Sequence, residues 1–310
     1  MKVTSFAKVI PAKNTSQEKI NILFHFIQGV QAVGDTGTVH KSFDYDACDV
    51  AVIQGWQHTR GKTAPHLALR QKIIDTQSAR KKYTITADSN LFLYANPKNT
   101  PHHYLRYSFN GVFPTTGIYC DNKPDPARWQ QISKDCNIQL HDYKRKGKNI
   151  LICLQRNGGW SMKGVDVGNW AIKTIGQIRL HTDRPIVIRP HPGDSKAKEY
   201  LANRLPRLRG NNVFISAQGT LLEHDLMKSW AVVNHNSSSI VGPIIQGYHA
   251  FVTDPIDSQC KEVAHTDFSL IDKPQEFDRQ AWLERISMFH WKFSELRDGT
   301  CWRHMRNYCQ

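Results

Sequence analysis

Three short stretches carry side chains suited to an anion. Gln155-Arg156-Asn157-Gly158-Gly159 joins a guanidinium to a glycine-bearing turn, and Arg189-Pro190-His191-Pro192-Gly193 sets an arginine and a histidine in a turn stiffened by prolines. His235-Asn236-Ser237-Ser238-Ser239 offers an imidazole and hydroxyls, with none of the permanently charged side chains. Ser and Asn also accept from the first unpaired N–H groups of a following helix, and such a start is a place where backbone donors meet phosphate. Any one of these stretches alone is ordinary loop chemistry. All three follow an apolar run, and together they point to a phosphate-bearing ligand, with Gln155, Arg156, Arg189, His191, Gly193, His235, Asn236, Ser237, Ser238 and Ser239 as its candidate contacts.

In the first half, Asp88 closes the run YTITA and is a candidate general base for a hydroxyl, with an N-cap role as the plain alternative. His102, His103, Tyr104 and Arg106 follow as candidate contacts for whatever carries that hydroxyl. Trp56, His58, Arg60 and Lys62 interleave aromatic and basic groups. Such a pattern can stack on a base or sugar and meet phosphates, or can be a packed tryptophan beside solvated cations. Asp44 and Asp46 have D-x-D spacing, but they precede a strand, so they read as solvated surface and no metal ligand is assigned.

Alternating elements must position these residues. The runs 20–30 and 49–56 read as buried parallel strands, 65–82 as a helix and 83–90 as a third strand, whereas 95–130 reads as a long irregular loop. The polar, basic stretch 141–149 marks a boundary. Beyond it the pattern restarts, with strands at 150–159, 184–194, 211–217, 230–239 and 249–255 separated by helical segments. This is a doubly wound α/β plan, in which ligands gather beyond the carboxyl ends of the strands. The expected division is two domains, 1–145 and 146–285, followed by helices over 286–310, one of them carrying Trp291.

Bulk properties narrow the classes. The chain has 310 residues, 40% of them hydrophobic and 10% aromatic, enough for two cores. No window approaches the roughly 18 apolar residues of a membrane span, and the first residues lack a leader pattern, so a cytoplasmic monomer is expected. Seven scattered cysteines without C-x-x-C spacing read as reduced, buried thiols. The net charge is +14, and it is uneven: 21 Lys and Arg face 11 Asp and Glu in residues 1–150, against 20 and 16 in residues 151–310. A basic half attracts polyanions. Neither G-x-G-x-x-G after a strand, nor a P-loop, nor G-x-S-x-G is present, which disfavours dehydrogenase, P-loop kinase and hydrolase readings.

With RPHPG at a strand end and NHNSSSIVGPIIQGYHAFV some forty residues on, the second half resembles glycosyltransferases of the GT-B type. It is similar to capsular-polysaccharide-type sugar transferases and to bacteriophage enzymes, glucosyl- or arabinosyltransferases among them, that glycosylate 5-hydroxymethylcytosine in DNA. The resemblance implies two Rossmann-like doubly wound domains facing a central cleft, with the acceptor bound by 1–145, the nucleotide-sugar by 146–285 and the helices of 286–310 crossing back to the first domain. It also implies a nucleoside-diphosphate sugar as co-substrate, UDP-linked by expectation, with no tightly bound cofactor. Arg189 and His191 would lie near the donor phosphates or sugar, and Ser237, Ser238 and Ser239 at the diphosphate. Because such side chains can neutralise the leaving group, metal-independent transfer is expected, with Asp88 as base. The charge asymmetry makes double-stranded phage DNA carrying modified cytosine the expected acceptor, in the cytoplasm of a host cell. A capsular or lipid-linked glycan is the alternative acceptor, and an inert nucleic-acid-binding protein on the same fold is the third reading.

Overall fold

The structure is a computed structural model that describes residues 1–10, 17–56, 64–96, 104–113, 123–204 and 212–309, without the side chains of 17–20, 93, 94 and 160. Through the first half the chain runs β1 (Lys2–Phe6), α1 (Gln17–Ala32), β2 (Thr36–His40), β3 (Val50–Gln54), α2 (Pro65–Ala79), β4 (Tyr83–Asp88), β5 (Tyr104–Phe109) and α3 (Pro126–Cys136). It continues through β6 (Asn149–Cys153), α4 (Val167–Arg179), β7 (Ile186–Arg189), α5 (Ala197–Ala202), β8 (Val213–Ile215), α6 (Leu222–Leu226), β9 (Ser229–Asn234), α7 (Val241–Ile245) and β10 (His249–Val252). It closes with α8 (Arg279–Ser287), β11 (His290–Lys292), α9 (Phe293–Arg297) and α10 (Thr300–Arg306). Among the described residues no helix is long and apolar enough to cross a membrane.

These elements form two units. Unit 1 holds residues 1–90, 101–132 and 284–310, and unit 2 holds 91–100 and 133–283. Unit 1 is built on a six-stranded sheet in the order β11-β5-β4-β3-β1-β2. Its β2, β1, β3 and β4 are parallel, while β5 and β11 are antiparallel additions at one side. Unit 2 has a wholly parallel five-stranded sheet in the order β10-β9-β6-β7-β8. Its central strands β6 and β9 are buried along nearly their whole length, as expected of a sheet covered on both faces.

Several elements differ from the sequence reading. Residues 20–30 are helix, within α1, because Ile22, Leu23, Phe26, Ile27 and Val30 fall on one face and are buried against the unit 1 sheet while Gln28 is exposed. The helix also meets α9 so closely that a Cβ on Gly29 would lie 1.9 Å from the Leu296 carbonyl oxygen. The first residues form β1, an interior strand between β2 and β3, and residues 95–130 contain β5 and the start of α3. Trp291 lies on a strand, β11, whose pairing with β5 puts it beside Leu105. The chain enters unit 2 after Ile132, ahead of the boundary expected after residue 145.

Residues 141–145 stay with unit 2 because of a stack of rings and guanidiniums. Arg279 lies 3.8 Å from the Tyr143 ring centre and donates to the carbonyls of His141 and Ile244. Tyr143 stacks on His249 at 4.8 Å, Trp230 lies 5.6 Å from His249, and Arg184 covers Trp230 at 4.5 Å. Cys48, Cys136, Cys153, Cys260 and Cys301 are free, buried thiols.

Burial, with the nearby charges of His265, Arg145 and Arg279, pushes the His249 imidazole down to about 4, so it is neutral at pH 7. The unfolded chain therefore takes up this proton first as pH falls. Stability is complete above the unfolded value of about 6.5 and declines as pH drops from there towards the folded value, at no more than about 1.4 kcal/mol per pH unit for one such group. Equilibrium urea unfolding should show a smaller slope of stability against pH between 6.5 and 4.5 in His249→Phe, which keeps a ring in the stack. An unchanged slope would mean that other groups set the acid limb.

Candidate active site

The parallel sheet of unit 2 brings the loops after β6, β7 and β9 to one edge. There Arg189, His191, Ser237, Ser238 and Ser239 line a cavity of about 670 Å³, open solvent at its mouth included, with Cys153, Leu154 and Leu222 among its apolar walls. A few convergent polar groups on an apolar wall are what small-molecule sites carry. Of the ten second-half candidates, these five face the cavity among the described residues, and the other five do something else.

Ser237 begins the turn before α7. Its Oγ accepts from the Ser239 N–H at 3.2 Å, and its carbonyl accepts from Asn234 Nδ2 at 2.8 Å. That cap leaves the hydroxyls of Ser238 and Ser239 at the cavity wall without an intramolecular bond among the described residues. His191 Nδ1 accepts from the Gly193 N–H at 3.0 Å, so the neutral ring carries its proton on Nε2. Burial, helped by the nearby Arg156 charge, holds the imidazole below its ordinary value, so Nε2–H is a neutral donor at pH 7. Gly193 thus orients His191, and Arg156 is an exposed neighbour of that ring.

Arg189 enters the cavity already paired. Its Nη1 donates to Asp225 Oδ2 at 2.6 Å, and Asp225 also accepts from Ser216 Oγ. The pair fixes the guanidinium and compensates its partial burial. Asp225 lies in α6, an element whose sequence carries no motif, and only the fold brings it under Arg189.

Gln155 and Asn236 do not line the cavity. Gln155 Nε2 donates to Asn236 Oδ1 at 2.9 Å, and the Asn236 N–H donates back to Gln155 Oε1 at 3.2 Å, with Gln155 7% and Asn236 1% exposed. Gln155 Nε2 also reaches Ser161 Oγ, and Asn236 Nδ2 donates to the Ser161 carbonyl and to Asp254 Oδ2. His235 is turned away to Thr253, whose Oγ1 lies 2.8 Å from its Nδ1 and also accepts from Trp170 Nε1. These residues tie the loops after β6, β9 and β10 to one another and so hold Ser237–Ser239 in place. Lys163 closes the outer side of this network, with its Nζ 2.5 Å from Asp257 and 4.0 Å from Asp254.

In unit 1, Asp88 is the last residue of β4. Its Oδ2 accepts from Arg106 Nη2 at 2.8 Å and its Oδ1 from the Ser89 N–H at 2.7 Å. Arg106 is only 5% exposed, and its Nη1 donates to the Val112 carbonyl. It is therefore a buried support beneath Asp88 and does not reach out as the acceptor contact expected from the sequence. Tyr104 is likewise buried. Trp56 is half-buried and packs on the unit 1 core, while His58, Arg60, Lys62, His102 and His103 lie outside the described residues. Asp44 is bonded by His40, and Asp46 by Lys2 and Thr4, in keeping with the surface reading of the D-x-D pair.

Breaking the clasp tests its role. Gln155→Leu and Asn236→Leu should each cost about 1–3 kcal/mol, because each removes the bond between the two buried side-chain amides and leaves a polar atom of the other short of a partner, and the double variant should cost clearly less than the two added together. A double-mutant cycle in urea measures this, and additive costs would refute the coupling.

No protein-family model matches the chain, and a comparison with curated proteins finds no match. Among solved structures it is similar to the KpsC β-Kdo 2,4 transferase of Thermosulfurimonas dismutans, with 12% identity and a TM-score of 0.57 over 94% of this chain and 91% of that one. It is also similar to the KpsC β-Kdo 2,7 transferase of the same organism, with 10% identity and a TM-score of 0.53 over 97% and 99%. These likenesses establish the fold: two Rossmann-like α/β domains of the GT-B type.

Proposed function

We propose that the protein is a glycosyltransferase that binds a nucleotide-sugar at the unit 2 cavity and transfers its sugar to a hydroxyl of a glycan acceptor bound by unit 1. The observation that carries this reading is the convergence of Arg189, His191 and Ser237–Ser239 on one cavity at the carboxyl ends of β6, β7 and β9. It does so in a chain that shares its fold, over nearly its whole length, with two sugar transferases.

In this mechanism the acceptor oxygen attacks the anomeric carbon as the bond from that carbon to the nucleotide phosphate breaks. Asp88 takes the acceptor proton. Its Oδ2 accepts one hydrogen bond, from Arg106, and retains a further lone pair for the hydroxyl, while Oδ1 is held by the N–H and hydroxyl of Ser89. The departing phosphate gathers negative charge, which the Arg189 guanidinium, the His191 Nε2–H and the serine hydroxyls stabilise. UDP-sugars are the first donors to test, and these residues can do this without a metal. The likeness to Kdo transferases favours a capsular or lipid-linked glycan as acceptor. The DNA reading rests on the basic excess of residues 1–150 alone. The glycan reading therefore takes precedence.

A panel of nucleotide-sugars offered with soluble glycan acceptors, and separately with hydroxymethylated duplex DNA, tests the reading through nucleotide release. Release should require a glycan; release with DNA alone would reassign the acceptor. Ser238→Ala combined with Ser239→Ala should weaken nucleotide binding by about tenfold or more, the worth of two lost hydrogen bonds, with little change in thermal stability. Asp88→Asn should abolish turnover while nucleotide binding, followed by calorimetry, stays at the wild-type level. Turnover retained in Asp88→Asn would remove Asp88 from the role of base.

A further inference from the structure

Arg70, on α2, has no place in the motifs above, yet its guanidinium reaches the end of the unit 1 sheet that carries Asp88. Its Nε donates to the Val9 carbonyl at 3.1 Å, and its Nη1 lies 3.5 Å from the Trp56 carbonyl. Its Nη2 has no partner among the described residues. The group lies flat on Gly55: a Cβ there would be 2.9 Å from Nη1, 3.1 Å from Cζ and 3.2 Å from Nη2, and Gly55 has φ +74°. Glycine is the residue that permits both this backbone and this approach. The Gly55 N–H donates to the Ala87 carbonyl at 2.8 Å, which sets the guanidinium beside the end of β4.

Among the described residues the charges at this edge do not balance. Asp88 is bonded by Arg106 and also lies in the field of Arg70, so there one carboxylate serves two guanidiniums. Arg70 is half-buried, and burial acts against its charge while the field of Asp88 supports it. A guanidinium held by carbonyls alone keeps its affinity for a planar oxyanion, which it meets through a fork of parallel N–H groups. Trp56, half-buried alongside, gives the apolar surface on which a sugar ring packs.

We infer that Arg70 is a specificity-determining residue of the acceptor site in unit 1 and selects an acceptor sugar that carries an anionic group, a carboxylate or a phosphate ester. The inference rests on the transferase reading for its meaning, but it is tested by binding alone. Dissociation constants of methyl β-glucuronide, glucose 6-phosphate and methyl β-glucoside are measured by NMR titration, without donor, on the wild type, Arg70→Gln, Arg70→Lys and Gly55→Ala.

The wild type should bind at least one of the two anionic sugars tenfold or more tightly than the neutral one, and which of them it prefers identifies carboxylate or phosphate. Arg70→Gln should abolish that preference, and Arg70→Lys, which keeps the charge and loses the fork, should reduce it. Gly55→Ala, which keeps Arg70 and displaces its guanidinium, should abolish it too, so the test stands if one variant fails to fold. Equal affinity for all three sugars, or a preference that survives both Arg70→Gln and Gly55→Ala, would overturn the inference. So would displacement of the glucuronide from wild type, but not from Arg70→Gln, by a short DNA duplex. Nucleotide binding at Ser238 and Ser239, measured in parallel, separates the two ideas: its loss with the sugar preference intact counts against the transferase reading and not against Arg70.

Discussion

The reciprocal pair between Gln155 and Asn236 is the interaction on which the candidate donor site depends. A parallel sheet guarantees only that its loops leave from one edge; it does not fix their conformations. Here two buried amides satisfy each other across the ends of β6 and β9, and Asp254 and Ser161 complete the bonding from the neighbouring loops. In a setting of low dielectric, an unpaired amide costs more than the bond contributes, so the network is held in one arrangement. That arrangement leads straight into Ser237, whose cap of the following turn presents Ser238 and Ser239 to the cavity. Packing, polar pairing and presentation of hydroxyls are thus consecutive consequences of one contact.

Charge is handled in a similar way in both units. Arg189 enters its cavity bonded to Asp225, and Asp88 leaves β4 bonded to Arg106. Each functional charge is carried with a counter-charge, because an isolated ion at this degree of burial is strongly unfavourable. Arg189 therefore meets a phosphate from a fixed position, which suits stabilisation of charge that develops during reaction. Arg70 is the exception, being anchored by carbonyls and lacking a bonded acid among the described residues. The contrast between Arg106 and Arg70, on neighbouring elements of the same sheet edge, is what distinguishes a supporting cation from one open to a ligand.

The alternation of strands and helices in the second half is readable from residue order, since every strand there is a short apolar run closed by polar or glycine-bearing residues. The first half was harder for a physical reason. In α1 the apolar run Ile20–Ile27 is broken only by Asn21 and His25, so a buried strand and a helix share the pattern until the face formed by Ile22, Leu23, Phe26, Ile27 and Val30 is set against a partner. In β5, Leu105, Tyr107 and Phe109 alternate onto the unit 1 core, while Arg106 and Ser108 are buried on the other face, where Arg106 meets Asp88 and Ser108 the Gly111 carbonyl. The alternation is there, but it is one short run in a stretch rich in Pro, Asn and His that reads as loop. In β11, His290 is fully buried with its Nδ1 on the Ile286 carbonyl, and only pairing with β5 makes the segment a strand.

The candidate site shows the same limit at finer scale. RPHPG and the serines could be placed at a ligand because proline, glycine and short hydroxyl side chains have strong local preferences that act within a few residues. Whether a polar residue at a strand end faces the ligand or its neighbour is settled by partners remote in sequence. Gln155 is paired by a residue 81 positions away, and Arg189 by one 36 positions away. Local chemistry therefore located the edge of the sheet that matters, while the assignment of ligand-facing and supporting roles along that edge is a property of the folded network. For the same reason Arg70, on a helix that carries no motif, becomes noticeable only when Gly55 and Asp88 are brought beside it.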